Sequence, residues 1–176
     1  MQIYLSTLTE NDYDTSIEAI QSAFEDETKS THDEHELVLR LREALEYKYE
    51  LEVVAKNDDG DVVGHVMLSE AQMVNEEENF TILTLAPLSV LPEYRDKGVG
   101  KALVQAVEER AKAQGYTTII VLGHPEYYKQ LGYEEAEQYG MYSPFDVPSE
   151  NFMVKFLWDQ LIEQPSGKVI YPEAFN

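Results

Sequence analysis

Apolar and polar residues alternate over positions 2–8, the period of a strand with one face against a core. From Thr9 the period changes. Thr9-Glu10-Asn11-Asp12 reads as a helix start, and Tyr13, Ile17, Ile20 and Phe24 follow at spacings of four, three and four, which places them on one helical face. An acidic loop over residues 25–31 separates this helix from a second, in which Leu37, Leu41 and Leu45 recur every four residues. Two apolar runs, 51–56 and 62–68, flank Asn57-Asp58-Asp59-Gly60-Asp61 and predict a hairpin. Residues 80–90 predict a long strand, in which Pro87 lacks an N–H and must interrupt the ladder or mark a bulge.

Downstream, Val99, Leu103, Val107 and Ala111 share one helical face, and Gly115 suits the stop. The nearly continuous apolar run over 117–122 then fits a buried strand. Strand, crossover helix, strand is the order of a right-handed βαβ unit with parallel strands. A short helix is expected over 125–131 and a further strand from Gly132-Tyr133-Glu134. Residues 151–158 fit a last strand or a short helix, and 163–176 an extended tail.

At 176 residues, 43% of them hydrophobic and with no internal repeat, the chain fits one domain. The N-terminus carries neither a basic region nor a sustained apolar run, and no segment approaches bilayer length. A cytoplasmic address without a membrane partner is therefore expected. The absence of cysteine excludes disulfides, thiolate ligands and a thiol nucleophile, and no Gly-x-Ser-x-Gly elbow supports a covalent acyl-enzyme. With 34 acidic and 13 basic residues the net charge is −21, a surface that repels nucleic acid and suits cationic substrates and solubility alike.

Against that field, cations gather in one place. Leu91-Pro92-Glu93-Tyr94-Arg95-Asp96-Lys97-Gly98-Val99-Gly100-Lys101-Ala102-Leu103 lies between a predicted strand and a predicted helix, with Arg95, Lys97 and Lys101 within seven residues. Gly98 and Gly100 leave no Cβ between a ligand and the backbone, so successive amides and the positive end of the helix can surround an anion. Screening over about 8 Å lets these local cations offset the acidic surface. A loop that only caps the helix is the alternative reading of the same residues.

Taken with Leu88-Ser89-Val90 upstream and Tyr128-Lys129-Gln130-Leu131-Gly132-Tyr133 downstream, this stretch resembles the GNAT superfamily of acyl-CoA-dependent N-acetyltransferases. Arg95, Gly98 and Gly100 fill that family's Gln/Arg-x-x-Gly-x-Gly/Ala signature. Tyr128, Gly132 and Tyr133 fill its Tyr-x-x-x-Gly-Phe pattern, with tyrosine for the last aromatic. The resemblance runs from about residue 3 to 158. It implies a single α/β (α+β) domain over 1–162, with a mixed twisted sheet of six to seven strands flanked by about four helices and a tail over 163–176. It also implies acetyl-CoA as cosubstrate, pantetheine pairing with the backbone of Leu88, Ser89 and Val90. The pyrophosphate would meet the amides of Lys97, Gly98, Val99, Gly100 and Lys101, with Arg95 beside it. A homodimer is expected from family habit alone.

The chemistry implied is direct acetyl transfer to a primary amine. An alkylammonium is neutral less than about one part in a thousand at pH 7, so a proton acceptor is needed. Tyr128 fits the family's proton donor to the leaving thiolate, with Tyr127 one place off the motif and packing alone as the other role for Tyr128. No carboxylate lies in Thr81-Ile82-Leu83-Thr84-Leu85-Ala86, where many relatives present a base. Glu70 and Glu76 to Glu78 read as surface charges, and His65 reads as a packed histidine before a base. His124 stands where many relatives carry an asparagine pattern. His32 and His35, three apart, invite a metal reading that their acidic neighbours explain as a helix start, so no metal is expected. The acceptor expected is a cationic small molecule. A protein amine, or an acyl-CoA-binding module without catalysis, are the alternatives.

Overall fold

In the computed structural model, which describes residues 2–176, the chain forms nine strands and four α-helices. The first unit of packing takes the chain up to Leu68 together with Ala86–Arg110; the second takes Ser69–Leu85 and Ala111–Asn176. The strands β1 (Tyr4–Ser6), β2 (Glu52–Lys56) and β3 (Val62–Val74) pair antiparallel in that order. A two-residue turn joins β3 to β4 (Asn79–Val90), closed by a bond from Asn75 N–H to Glu78 O of 3.0 Å. β4 pairs parallel with β5 (Thr118–Leu122) through Leu83 and Thr84, as a βαβ unit requires. β5 then pairs antiparallel with β8 (Phe152–Phe156), and β8 with β6 (Glu134–Glu135). Parallel and antiparallel pairings coexist, so the sheet is mixed and the domain is of the expected α/β kind.

Two short pairings raise the strand number above the six to seven expected. Within 163–176, β9 (Gly167–Ile170) pairs antiparallel with Gln72, Met73 and Val74 of β3 and parallel with β7 (Met141–Tyr142). Val169 of β9 enters the core of the second unit beside Met73, Ile82, Ile120, Met141 and Phe152. Residues 151–158 resolve to the strand β8, whose first three side chains are buried. β3 also runs past Leu68, because Ala71 and Met73 are buried in alternation with Glu70 and Gln72.

Between the bond from Leu91 N–H to Val63 O and that from Asn75 N–H to Glu78 O, β4 uses one residue more than β3. It therefore carries a bulge, the irregularity that Pro87 predicts.

The helix α3 (Val99–Ala113) buries the stripe Val99, Leu103, Val107 and Ala111. The helices α1 (Asp12–Phe24) and α2 (Glu34–Glu43) depart from their expected stripes. In α1 the buried line is Asp12, Ser16, Ile20 and Ala23, leaving Tyr13, Ile17 and Phe24 half-buried. In α2 it is Val38 and Leu41, and Leu45 lies beyond the helix and fully exposed. Buried ion pairs cause the shift. Asp12 meets Lys56 at 2.8 Å, and Arg42 of α2 reaches past Ser16 to Glu52 of β2 at 2.6 Å.

Glu52 is wholly enclosed, and burial alone would raise its pKa; the hydrogen bonds and charges of His65 and Arg42 override this and hold it down at about 2. A carboxylate depressed from 4.5 to about 2 stabilises the fold above 4.5 and loses that contribution as pH falls through about 2. Acid unfolding should therefore show a component on the order of 3 kcal/mol over this window, absent in Glu52→Gln, as read by denaturant titration at stepped pH.

Candidate functional site

After Val90 the chain leaves β4 through a 3₁₀ turn, Pro92–Tyr94, in which Tyr94 N–H donates to Leu91 O at 2.9 Å. The hairpin between β2 and β3 braces this turn, since Asn57 Nδ2 donates to Tyr94 Oη at 3.1 Å. Arg95 folds back: its Nε donates to Val90 O at 3.0 Å and its Nη2 to Ala23 O at the end of α1. The guanidinium thus ties the end of β4 to α1, and Asp26 lies 3.7 Å from Nη1. Lys97 and Lys101 are exposed, with Lys97 Nζ 5.9 Å from the centre of the Tyr94 ring.

Asp96 and Gly98 both adopt left-handed backbone, φ 59° and φ 83°. Alternation of this kind turns consecutive amides toward one side, the geometry of an anion-binding nest. Gly98 O accepts the first bond of α3 from Ala102 N–H at 3.0 Å. The amides of Val99, Gly100 and Lys101 in the first turn have no acceptor within the helix. A Cβ on Gly98 would meet no protein atom within 4 Å, so the space before these amides is open.

The side chain of Val99 points the other way and anchors the cradle. A Cβ on Gly64 of β3 would stand 2.9 Å from Leu103 Cδ1, and 3.3 Å from both Val99 Cγ1 and Ser89 O. Gly64 therefore lets the first turns of α3 sit directly on the backbone where β3 and β4 meet. Among Leu88, Ser89 and Val90, only Ser89 is fully buried. Gly64→Val is expected to lower stability by about 1–3 kcal/mol through overpacking, as measured by thermal unfolding.

Tyr128 sits in the short helix α4 (Pro125–Lys129), which Pro125 opens. Its ring lies edge-on to Tyr127 at 5.1 Å and to Tyr133 at 5.5 Å. Gly123 admits it, because a Cβ there would stand 2.4 Å from Tyr128 Cε2. Its hydroxyl has no hydrogen-bond partner among the described residues, and burial, then the neighbouring Tyr127, push its pKa above the ordinary 10. The phenol stays protonated throughout the physiological range. Tyr127 is more exposed, and burial raises its pKa as well.

Glu70 lies within β3, half-buried, and accepts a hydrogen bond of 2.6 Å from Tyr116 Oη, so it is not a free surface charge. The amides of Glu77 and Glu78 are held by Asn75 Oδ1 in the turn before β4. His65 is completely enclosed, on the face of β3 that carries Glu52. His32 precedes α2 with φ 63°, while His35 lies inside it, so the two do not share a helical face. Among the described residues no three His, Asp or Glu side chains gather as a metal site, and no helix is long and apolar enough to cross a membrane.

The residues that sequence reading passes over are Gly64 and Gly123. Gly64 precedes His65 in β3 and is needed by the helix α3 from farther along the chain, whereas Gly123 precedes His124 and is needed by the Tyr128 ring of the helix that follows.

Residues 5–136 match the model of an acetyltransferase (GNAT) domain. The N-acetyltransferase YjhQ of Escherichia coli K12 is 34% identical over 119 residues, which span 67% of this chain and 65% of that protein. The E. coli N-acetyltransferase YhbS is 31% identical over 126 residues, 72% of this chain and 74% of its own. The crystal structure of YhbS in complex with CoA superposes with a TM-score of 0.88 at 26% identity, covering 99% of this chain and 92% of that one. A GNAT family acetyltransferase from Brucella melitensis, in complex with acetyl-CoA, has the same fold with a TM-score of 0.80 at 23% identity over 99% of both chains. With the glycine cradle at the head of α3 and the tyrosine of α4, these matches settle the family: the chain belongs to the GNAT acetyltransferases.

Proposed function

We propose that this protein transfers the acetyl group of acetyl-CoA to a primary amine by direct attack, and that the amine is a cationic small molecule. The observation that carries the reading is the open cradle of Gly98 and the first turn of α3, which offers bare amides at a helix N-terminus to an anion. The residues fit a pyrophosphate: the amides of Lys97, Gly98, Val99, Gly100 and Lys101 hold it, and exposed Lys97 and Lys101 neutralise it. Arg95 serves the same site from behind, by fixing the loop to Val90 O and Ala23 O. The backbone of Leu88, Ser89 and Val90, beyond the residues that β5 pairs, receives the pantetheine arm as a further strand.

When bound, acetyl-CoA supplies the activated acyl thioester. A backbone N–H of the 88–90 segment donates to the developing oxyanion. Tyr128, protonated and with an unengaged hydroxyl, gives its proton to the leaving sulfur. The net charge of −21 and the acidic loop over 25–31 favour a cationic acceptor.

The test is thiol release from acetyl-CoA across a panel of polyamines, aminoglycosides, amino acids and lysine peptides. Turnover confined to cationic small amines supports the reading. Turnover on peptides alone replaces the acceptor class, and acetyl-CoA binding with no turnover makes the protein a binding module.

A further inference from the structure

Lys155 projects from β8, where it pairs with Ile119 of β5 in the antiparallel register. On the other side of β8, Glu134 pairs with Val154, so Lys155 comes level with Tyr133, the residue before β6. From there one side chain meets three consecutive residues. Its Nζ donates to Leu131 O at 2.8 Å. Its stem lies against Gly132, where a Cβ would stand 3.3 Å from Lys155 Cε and the backbone is left-handed at φ 94°. Its Nζ is also 5.7 Å from the centre of the Tyr133 ring, a cation over an aromatic face.

These three residues are what Tyr128 rests on. Tyr128 O accepts from Leu131 N–H and from Tyr133 N–H, each at 3.0 Å. The Tyr133 ring, in a residue only 2% exposed, meets the Tyr128 ring edge-on with centres 5.5 Å apart. With five residues, α4 is too short to hold itself by its own hydrogen bonds, so its orientation is set by what it packs on. The backbone and the ring of Tyr128 therefore share one support, and Lys155 holds that support from another strand. Ordering a lysine side chain costs more rotamer freedom than an apolar residue covering the same strand would lose.

We propose that Lys155 is a positioning residue for the proton donor: by holding residues 131–133 it fixes the Tyr128 hydroxyl where the thiolate leaves. This rests on the reading above in which Tyr128 gives its proton to the leaving sulfur. Proton transfer requires hydrogen-bond reach, about 2.6–3.2 Å between heavy atoms, so a small displacement of the ring is felt in the rate. Lys155 thus acts on kcat and leaves cofactor affinity to the cradle.

The test is a double-mutant cycle of Lys155→Met with Tyr128→Phe, read as kcat on the best amine of the panel. Methionine keeps the length of the stem and removes the donor and the charge. Lys155→Met alone is expected to lower kcat about tenfold, with acetyl-CoA affinity within about twofold of wild type by calorimetry. In the Tyr128→Phe background the same change should cost less than about twofold, because no hydroxyl is left to misplace. Lys155→Arg, which keeps a donor for Leu131 O, should recover most of the rate. Equal losses in both backgrounds would overturn the proposal, since a general structural defect is blind to the Tyr128 hydroxyl, and so would a full rate in Lys155→Met. Carbon-13 NMR of ligand-free, tyrosine-labelled protein gives a second readout, with the Tyr128 ring signals assigned by their absence in Tyr128→Phe. They should move in Lys155→Met and return in Lys155→Arg; signals that stay in place would overturn the proposal. Should Lys155→Met not fold, Lys155→Gln, whose shorter side chain stops before Leu131 O, takes its place in the cycle. A full rate in Tyr128→Phe would remove the proton-donor reading and the proposal with it, whereas a slow Tyr128→Phe with additive losses removes the proposal alone.

Discussion

Gly98→Val is expected to bind acetyl-CoA at least a hundredfold more weakly than the wild type while remaining folded. At φ 83° a β-branched side chain is strained by about 1–2 kcal/mol, and relief of that strain turns the loop and its amides away from their common focus. Each charge-assisted bond to phosphate that is lost costs about 1.5–3 kcal/mol, so one such loss together with the strain reaches two orders of magnitude. The protein should survive the change, because the new Cβ meets no atom of the chain within 4 Å. Circular dichroism and thermal unfolding separate this outcome from misfolding. Gly100→Val, inside the first turn of α3, should weaken binding in the same direction.

Tyr128→Phe is expected to lower kcat about a hundredfold with acetyl-CoA affinity held within about threefold, because the hydroxyl acts on the leaving sulfur and not on binding. Its ring contacts with Tyr127 and Tyr133 survive the substitution, so stability should change little. Gly123→Ala provides an independent route to the same loss. Its Cβ would overlap Tyr128 Cε2 at 2.4 Å, so the ring must move although its hydroxyl remains. Because burial raises the phenol's pKa above 10, the wild type should show no alkaline loss of activity traceable to Tyr128 below about pH 10. A full rate in Tyr128→Phe would reduce this residue to packing.

How much of this was legible beforehand follows the range of the interactions. The α3 stripe of Val99, Leu103, Val107 and Ala111 is buried as its period predicts, and the cradle at Gly98 could be read from seven neighbouring residues. The α1 stripe was displaced because its buried line begins with Asp12 and Ser16, whose partners Lys56 and Arg42 lie far along the chain. A hydrophobic period cannot register polar groups that become buried in pairs. The extension of β3 through Ala71 and Met73 was present as alternation, masked by Glu70 and Gln72. β9 offered only Val169 as a buried apolar residue, too little to separate a paired strand from a tail. In the site, the family resemblance puts Arg95 beside the pyrophosphate; its guanidinium is also engaged by two carbonyls that only the fold brings near. His65 is packed, as its sequence reads, and what the sequence does not show is the Glu52 carboxylate at its Nε2.

The most direct test of the central claim is calorimetric titration of the wild-type protein with acetyl-CoA in low salt, with free CoA and the Gly98→Val variant alongside. Saturable binding of both ligands at one site per chain, lost in the variant, is the predicted result. A folded wild type that takes up neither ligand would contradict the account of the cradle, and with it the assignment of acetyl transfer.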